Sequence, residues 1–503
     1  MLEFFINGFG AILNPGNMLI IFLGVAIGII FGAIPGLTST MAVALCLPIT
    51  FGMEPIMGMS MLAALYIGGV SGGLIAAILL NIPGTPASIA TCFDGHPLAA
   101  KGEAGKALGV GIVFSFLGGM VSFLALFFIA PPLARFALKF SPYEYFSISI
   151  FALTLIAGLT GKSMVRGLIS GCLGMAFATI GMAPLDGLPR FTFGNEQLIS
   201  GFNLLSVLIG LYAFSEMFIY AETCRTEPKA VIQKFEIRGF GFSIAEFKSQ
   251  LGNFSYASIL GTGIGILPGI GASTANIIAY MGIKNRSKYP EKFGTGIIDG
   301  IVASETANNA TVGGALIPLL TLGIPGDGVT ALLLGALMIH GITPGPMLFS
   351  SGAEIVYGLF AALIISNIAM LILEFFGIRI FVRLLKIPKH ILLPVVLSLC
   401  FVGGFTLGNR IFDIWVLLLF GIIGYIMLKV ELPLPPVILG FILGPIAETN
   451  LRRGFTLSKG SFIPFMTSPI SGTFLALAVA SVVIIAYKNQ KSKVKKAEVS
   501  SEA

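Results

Sequence analysis

Charge is what this chain has least of. Only 11% of its 503 residues are Asp, Glu, Lys or Arg, while 56% are hydrophobic and the mean hydropathy is +0.96. A soluble globule of this length needs far more polar surface, so the composition excludes that class and makes the chain a polytopic membrane protein embedded in a lipid bilayer. Histidine is nearly missing, and His96, His340 and His390 are too dispersed to form a proton relay; they read as solitary structural residues. Cys46, Cys92, Cys172, Cys224 and Cys400 have neither metal-ligand spacing nor an even count and read as small apolar packing residues. A Gly-x4-Gly-Lys-Ser/Thr phosphate loop is absent, which excludes an ATP-driven pump and leaves an ion or solute gradient as the energy source. The N-terminus lacks a basic n-region and a small-residue cleavage site, so its first apolar run is expected to stay in the membrane. The net charge of +7 is read as a device for orientation in the bilayer rather than as a sign of nucleic acid or another anionic partner.

Breaks are what the chain has in abundance. Uncharged apolar stretches of about 20 residues recur along it, several of them too short or too rich in Gly and Pro to cross whole, so roughly ten to twelve full crossings are expected with the remainder re-entrant. Within them, a first signature, Gly28-Ile29-Ile30-Phe31-Gly32-Ala33-Ile34-Pro35-Gly36-Leu37-Thr38-Ser39-Thr40, is answered by Gly261–Thr274 with Pro268-Gly269-Ile270-Gly271 at its centre. A second signature, Ser71-Gly72-Gly73 followed by Asn81-Ile82-Pro83-Gly84-Thr85-Pro86-Ala87-Ser88, returns as Val312-Gly313-Gly314 followed by Gly323-Ile324-Pro325-Gly326-Asp327-Gly328-Val329-Thr330. Broken helices survive in a bilayer only where protein or a water-filled cavity satisfies the freed backbone groups, and matching breaks in two halves point to a secondary transporter.

Loop charge predicts how the halves are related. Thr50–Pro55 has no Lys or Arg, whereas the corresponding loop of the second half carries Lys284, Arg286, Lys288 and Lys292; the next loop reverses the bias, with Lys101 and Lys106 in the first half and an uncharged Gly341–Pro346 in the second. Two successive reversals are what inverted-topology repeats give. The flanks of later spans are less clean, since Arg135 and Lys139 face Arg379, Arg383 and Lys386. The expected division is a membrane repeat over 1–221, a cytoplasmic linker over 222–252 with Arg225, Lys229, Lys234, Arg238 and Lys248, a second repeat over 253–487 and a basic cytoplasmic tail over 488–503.

The four signatures contain no Lys or Arg, so an anion held there relies on backbone N–H groups at half-helix N-termini, each end equivalent to about half a positive charge, helped by hydroxyls. Thr38, Ser39 and Thr40 follow Pro35-Gly36; Ser273, Thr274 and Asn276 follow Pro268, Gly269 and Gly271; Thr85 and Ser88 follow Gly84; Thr330 follows Gly326. Close helix packing by small residues is the alternative for any one of them, but hydroxyls downstream of all four breaks favour anion cradles. An intramembrane charge costs about 2.5–3.5 kcal/mol on insertion scales, which singles out Asp327 and Glu305, while Asp94 reads as an interfacial loop residue beside Gly95, His96 and Pro97. Asn308 and Asn309 offer oxygens to sodium or hydrogen bonds to neighbouring helices, and with Asp327 they are the coupling-ion candidates.

These residues carry a resemblance. Pro35-Gly36-Leu37-Thr38, Asn81-Ile82-Pro83-Gly84-Thr85-Pro86, Glu305-Thr306-Ala307-Asn308-Asn309-Ala310, and Leu322-Gly323-Ile324-Pro325-Gly326 leading to His340-Gly341-Ile342-Thr343-Pro344-Gly345-Pro346 resemble, in order, the large membrane subunit of the tripartite tricarboxylate transporter family, over about residues 15 to 480. Asp327 departs from the small residue common at that place in the family. The resemblance implies an all-α polytopic membrane protein of the bacterial inner membrane. It implies a symporter that receives a di- or tricarboxylate such as citrate from a periplasmic solute-binding protein, works beside a small four-helix membrane subunit, and needs Na+ or H+ as the co-transported ion and no other cofactor. The alternatives are an intramembrane hydrolase, for which no nucleophile and histidine fall in a catalytic pattern, and an organic-anion channel, which has less use for duplicated breaks.

Overall fold

The computed structural model describes residues 2–159, 163–223, 241–384, 389–406 and 409–483. The charged linker residues Arg225, Lys229, Lys234 and Arg238, the basic tail, Cys224 and Lys386 lie outside them, as does the side chain of His390. The described residues form an all-α polytopic membrane protein with one two-residue hairpin pair, Gly181–Met182 against Pro189–Arg190. Among the described residues, six helices are long and apolar enough to cross a membrane, and several apolar helices of 10–17 residues join them.

The first half runs α1 (Leu2–Ile12), α2 (Pro15–Ala33), α3 (Ser39–Thr50), α4 (Pro55–Leu80), α5 (Ile89–Leu98), α6 (Ala104–Ala137), α7 (Pro142–Leu159), α8 (Met164–Ala178), α9 (Leu204–Leu208) and α10 (Ser215–Thr223). The second runs α11 (Ile244–Ser249), α12 (Leu251–Ile266), α13 (Gly271–Arg286), α14 (Ile298–Leu322), α15 (Gly328–Ile339), α16 (Leu348–Ser351), α17 (Ala353–Leu384), α18 (Lys389–Thr406), α19 (Ile411–Lys429), α20 (Leu434–Leu457) and α21 (Ile463–Thr467). Local chemistry sets the shared pattern of breaks. Ile34 and Leu267, each forced out of the helical region by the proline that follows, take nearly the same extended backbone, φ/ψ −82°/115° and −80°/122°. Asn81 and Gly323 end α4 and α14 in the same left-handed conformation, φ 57° and 71°.

Packing exchanges elements between the halves. In each, the helix before the first break lies along the central helix: the backbone of Gly28 and Gly32 meets that of Gly68, Gly69 and Gly73, and Gly261 and Gly265 meet Ala307, Thr311 and Gly314, contacts that only small residues permit. The central helices α4 and α14 are buried along nearly their whole length. The long helix that ends each unit then covers the other unit's centre, α6 on α14 and α17 on α4.

Two opposite ends result. At one, Phe51 shares a cleft with Asn203 and Met338, Tyr145 faces the loop Gly341–Pro346, Arg410 donates to Ser200 at 3.0 Å, and Arg190 holds Glu448 with two guanidinium nitrogens at 2.7 and 3.2 Å. At the other, Lys106 pairs with Glu246 at 2.5 Å and Lys429 with Glu222 at 2.6 Å. There Asp94, expected in an interfacial loop, is instead fully buried within α5, where it accepts from the N–H groups of Gly294, Gly296 and Ile297 at 2.9, 2.8 and 3.1 Å and from the Tyr280 hydroxyl at 2.8 Å. It binds the loop after α13 to α5. The α2–α3 unit closes at the first end and α12–α13 at the second, so the halves run in opposite senses.

Candidate substrate site

All four breaks meet at one cavity of about 240 Å³. From the first half it takes Thr38, Ser39 and Thr40 at the start of α3 and Thr85, Pro86 and Ala87 ahead of α5; from the second it takes Gly269, Ile270, Gly271, Ala272 and Ser273 at the start of α13 and Asp327, Gly328 and Val329 at the start of α15. Four helix N-termini thus open on a shared space.

They are not equivalent. Thr38 caps α3, its Oγ1 accepting from the Met41 N–H at 3.1 Å, and leaves the N–H groups of Ser39 and Thr40 without a side-chain cap. Ahead of α5 the first turn opens with Pro86, which has no N–H. No side chain caps α13, and Gly271, Ala272 and Ser273 at its first turn all face the cavity. At α15 the cradle holds an anion of its own: Asp327 accepts the Thr330 N–H at 2.8 Å while Thr330 Oγ1 receives the Asp327 N–H at 2.8 Å, a reciprocal capping pair. The Tyr66 hydroxyl donates to the same carboxylate. The N–H groups of Ser39 and Thr40 on α3 and of the first turn of α13, one set from each half, are therefore those that face the cavity without a side-chain cap.

Other residues singled out in the sequence stand behind this wall. Pro35, Gly36 and Pro268 form the breaks without lining the cavity, and Gly84 packs on the backbone of Gly32 and Gly73. Gly326 offers its carbonyl to the Gly269 N–H at 2.6 Å, tying the two breaks of the second half together. Ser88 donates to the Thr85 carbonyl at 2.9 Å. Thr274 is outside the lining. Asn276 and Asn308 both donate to the Ala87 carbonyl, the latter at 3.1 Å, and Asn309 donates to the Glu305 carbonyl at 3.1 Å. Of the three coupling-ion candidates, Asp327 reaches the cavity, Asn308 holds its wall through the Ala87 carbonyl, and Asn309 bonds within α14, to Glu305 and Asn308.

Tyr66, Val70, Tyr212, Glu216 and Pro435 complete the lining and were missed in the sequence. Tyr212 and Glu216 sit about one turn apart, the first on the π-helical stretch Ile209–Phe214 that joins α9 to α10 and the second in the first turn of α10. A tyrosine and a carboxylate at that spacing share a helix face, and that was the available signal; an apolar run ending at Phe214 hid it. Among the described residues, Lys, Arg and His are absent from the lining, which carries two carboxylates, Asp327 and Glu216. No group of three or more His, Cys, Asp or Glu among the described residues forms a metal centre.

A family model described as the tripartite tricarboxylate transporter TctA family matches residues 18–439. An uncharacterized 52.8 kDa protein in the TAR-I ttuC' 3'region of Agrobacterium vitis is 36% identical over 486 residues, covering 97% of this chain and 96% of that relative. An uncharacterized protein in the TAR-II ttuC' 3'region of the same organism is 38% identical over 233 residues, covering 46% of this chain and 96% of that relative. No solved structure matches. The chain belongs to the tripartite tricarboxylate transporter TctA family.

Proposed function

We propose that this member of the TctA family takes up a di- or tricarboxylate together with cations, the acid binding between the N-termini of α3 and α13. The convergence of all four breaks on one cavity carries the reading. A cavity of about 240 Å³ suits a small acid rather than the drug-sized ligands that occupy roughly 300–1,000 Å³. Such an acid meets Asp327 and Glu216 there with no basic side chain to balance them, so its charge is carried by helix N-termini and by accompanying cations. The membrane potential demands the same. A dianion entering against 100 mV meets about 4.6 kcal/mol, which two or more cations cancel.

The end bearing Phe51–Pro55 and Gly341–Pro346 is assigned to the periplasm and the end bearing Lys101, Lys106, Lys284 and Arg286 to the cytoplasm. This places the C-terminus inside, in a bacterial inner membrane, with residues 1–221 and 253–487 as inverted repeats. The outward loops are short, so dilute substrate is captured by a periplasmic binding protein that docks there and leaves after delivery, with a small membrane subunit alongside. The test is uptake of a radiolabelled panel of di- and tricarboxylates into proteoliposomes holding the chain with its partner subunits. Gradient-dependent accumulation supports the reading. Turnover of the panel in detergent without uptake overturns it in favour of an enzyme.

A further inference from the structure

A second polar cluster lies behind the cavity, and the cavity does not use it. Glu305, on α14, is fully buried, and among the described residues the groups that hydrogen-bond its carboxylate are neutral donors. The Thr91 hydroxyl donates to Oε1 at 2.5 Å, and the Ser115 hydroxyl and Asn308 Nδ2 donate to Oε2 at 2.9 and 3.2 Å. Glu374, on α17, is also fully buried; Ser71 donates to its Oε2 at 2.9 Å, while its Oε1 has no partner. α17 packs on α4, and α4 and α6 pack on α14, so both carboxyls lie in the interior where the two units exchange helices.

The groups that face the pair are few. From α5, the thiol of Cys92 donates to the Ser88 carbonyl at 3.8 Å, and Asp94 is taken up by Tyr280 of α13 and by the loop at 294–297. The described residues that touch the pair from α4, α5 and α6 are hydroxyls, and Asn308 of α14 adds an amide. Among the described residues no Lys, Arg or His bonds to either carboxylate. A metal cation fits poorly, because both Glu305 oxygens already receive N–H or O–H donors and have none turned toward a shared centre. A proton fits well, since a buried carboxyl without a counter-charge is stabilised by becoming neutral.

Asn308 connects the pair to the cavity. Its Nδ2 donates both to Glu305 Oε2 and to the carbonyl of Ala87, a lining residue, at 3.2 and 3.1 Å. When Glu305 gains a proton its carboxyl becomes a donor. The hydroxyls of Thr91 and Ser115 can turn and accept, but the amide nitrogen of Asn308 cannot: of its two hydrogens, the one aimed at Oε2 loses its charged acceptor while the other stays on the Ala87 carbonyl, so the hold on Asn308 shifts from Glu305 toward the cavity wall.

We propose that Glu305 and Glu374 form a proton-binding pair, distinct from the substrate cavity, whose loading is passed to the cavity wall through Asn308 and the Ala87 carbonyl. This rests on the transport reading for its role but not for its existence. The first test is infrared difference spectroscopy of the full chain in lipid during a pH titration. The wild type shows a protonated-carboxyl stretch that Glu305→Gln and Glu374→Gln each diminish, and Ser115→Ala, which removes a donor to the ionised form, shifts its titration to higher pH. The second uses proteoliposomes of the chain with its partner subunits and radiolabelled citrate. Glu305→Gln keeps citrate exchange across the membrane but loses at least ten-fold in accumulation driven by a pH gradient. A carboxyl band unchanged in both glutamine variants and in Ser115→Ala overturns the proposal, as does pH-driven accumulation by Glu305→Gln at the wild-type level. A wild type that exchanges none of the panel contradicts the transport reading instead, and the infrared result still decides the proton site. Should Glu305→Gln fail to fold, Glu374→Gln and Ser115→Ala decide.

Discussion

The two halves share a frame and divide the chemistry. Aligned on Gly72-Gly73 and Gly313-Gly314, Glu305, Asn308 and Asn309 of α14 correspond to Ala64, Ile67 and Gly68 of α4. Tyr66 of α4 has Ala307 as its equivalent in the same alignment. Aligned instead on Pro83-Gly84 and Pro325-Gly326, since one more residue separates the Gly-Gly pair from the break in the second half, Asp327 corresponds to Thr85 and Thr330 to Ser88. Three buried carboxylates of the second half thus take hydroxyls from the first, Tyr66 to Asp327, Thr91 and Ser115 to Glu305, and Ser71 to Glu374, while Asp94 of the first half takes the Tyr280 hydroxyl of the second and Glu216 lines the cavity from the first. The halves share what the backbone needs, the pre-proline extended residue, the left-handed cap and the small-residue seam. Their side chains differ where an exchanged partner satisfies them.

The largest expected effect breaks what the halves share. Gly36 and Gly269 both have positive φ, 92° and 75°, where an L side chain costs about 1–2 kcal/mol. A Cβ at Gly269 also runs into the Ile156 side chain, adding about 1–3 kcal/mol of overpacking. Gly36→Val and Gly269→Val are each expected to lose most uptake, Gly269→Val more. Variants that fold, reach the membrane and transport at the original rate would remove the reason for placing substrate between these motifs. Next in size is coupling: with sodium and proton gradients both collapsed, uptake should fall to equilibration, and undiminished accumulation would contradict cation coupling.

Smaller effects sharpen the difference between the halves. Asp327→Ala removes the cap of α15, about 1 kcal/mol, and the Tyr66 partner, whereas Asp327→Thr restores the residue of the first half and with it a capping hydroxyl. The melting temperature should fall more for alanine than for threonine; equal losses would show that capping is not what Asp327 contributes to stability. The smallest effect lies outside the membrane. Lys106 and the N–H and hydroxyl of Ser243 pull the Glu246 carboxyl down to about 2. A depressed folded-state value means that this tie between α11 and α6 is fully present above the ordinary carboxylate range, near 4.5, and is lost as pH falls from there toward about 2. Melting curves of the wild type and Glu246→Gln should therefore converge only below that range, and a constant gap at every pH would mean that Glu246 acts without its charge.

The backbone of this protein was legible in its sequence and much of its side-chain chemistry was not. Proline and glycine act locally, so the breaks at 34–38, 81–88, 267–271 and 323–327 and the opposed sense of the halves follow from their spacing and from loop charge. Thr38, Ser39, Thr40, Thr85, Gly269, Gly271, Ser273 and Asp327 reach the cavity because position after a break fixes direction. Tyr66 and Glu216 arrive from unbroken helices, and Glu374 is defined by Ser71, a partner far away in sequence. Nothing local distinguishes such residues. Asp94 looked like a loop residue because its neighbours Gly95, His96 and Pro97 are loop formers, yet tertiary hydrogen bonds keep it in a helix.

The most direct test of the account is whether one acid protects both halves at once. In a background lacking the native cysteines, Ser39→Cys and Ser273→Cys place a thiol at the start of α3 and of α13. The account predicts that citrate, or whichever acid of the panel the wild type accumulates, blocks maleimide labelling at both positions with the same half-saturating concentration. Protection at neither position, or at only one, would contradict a substrate held between the two N-termini.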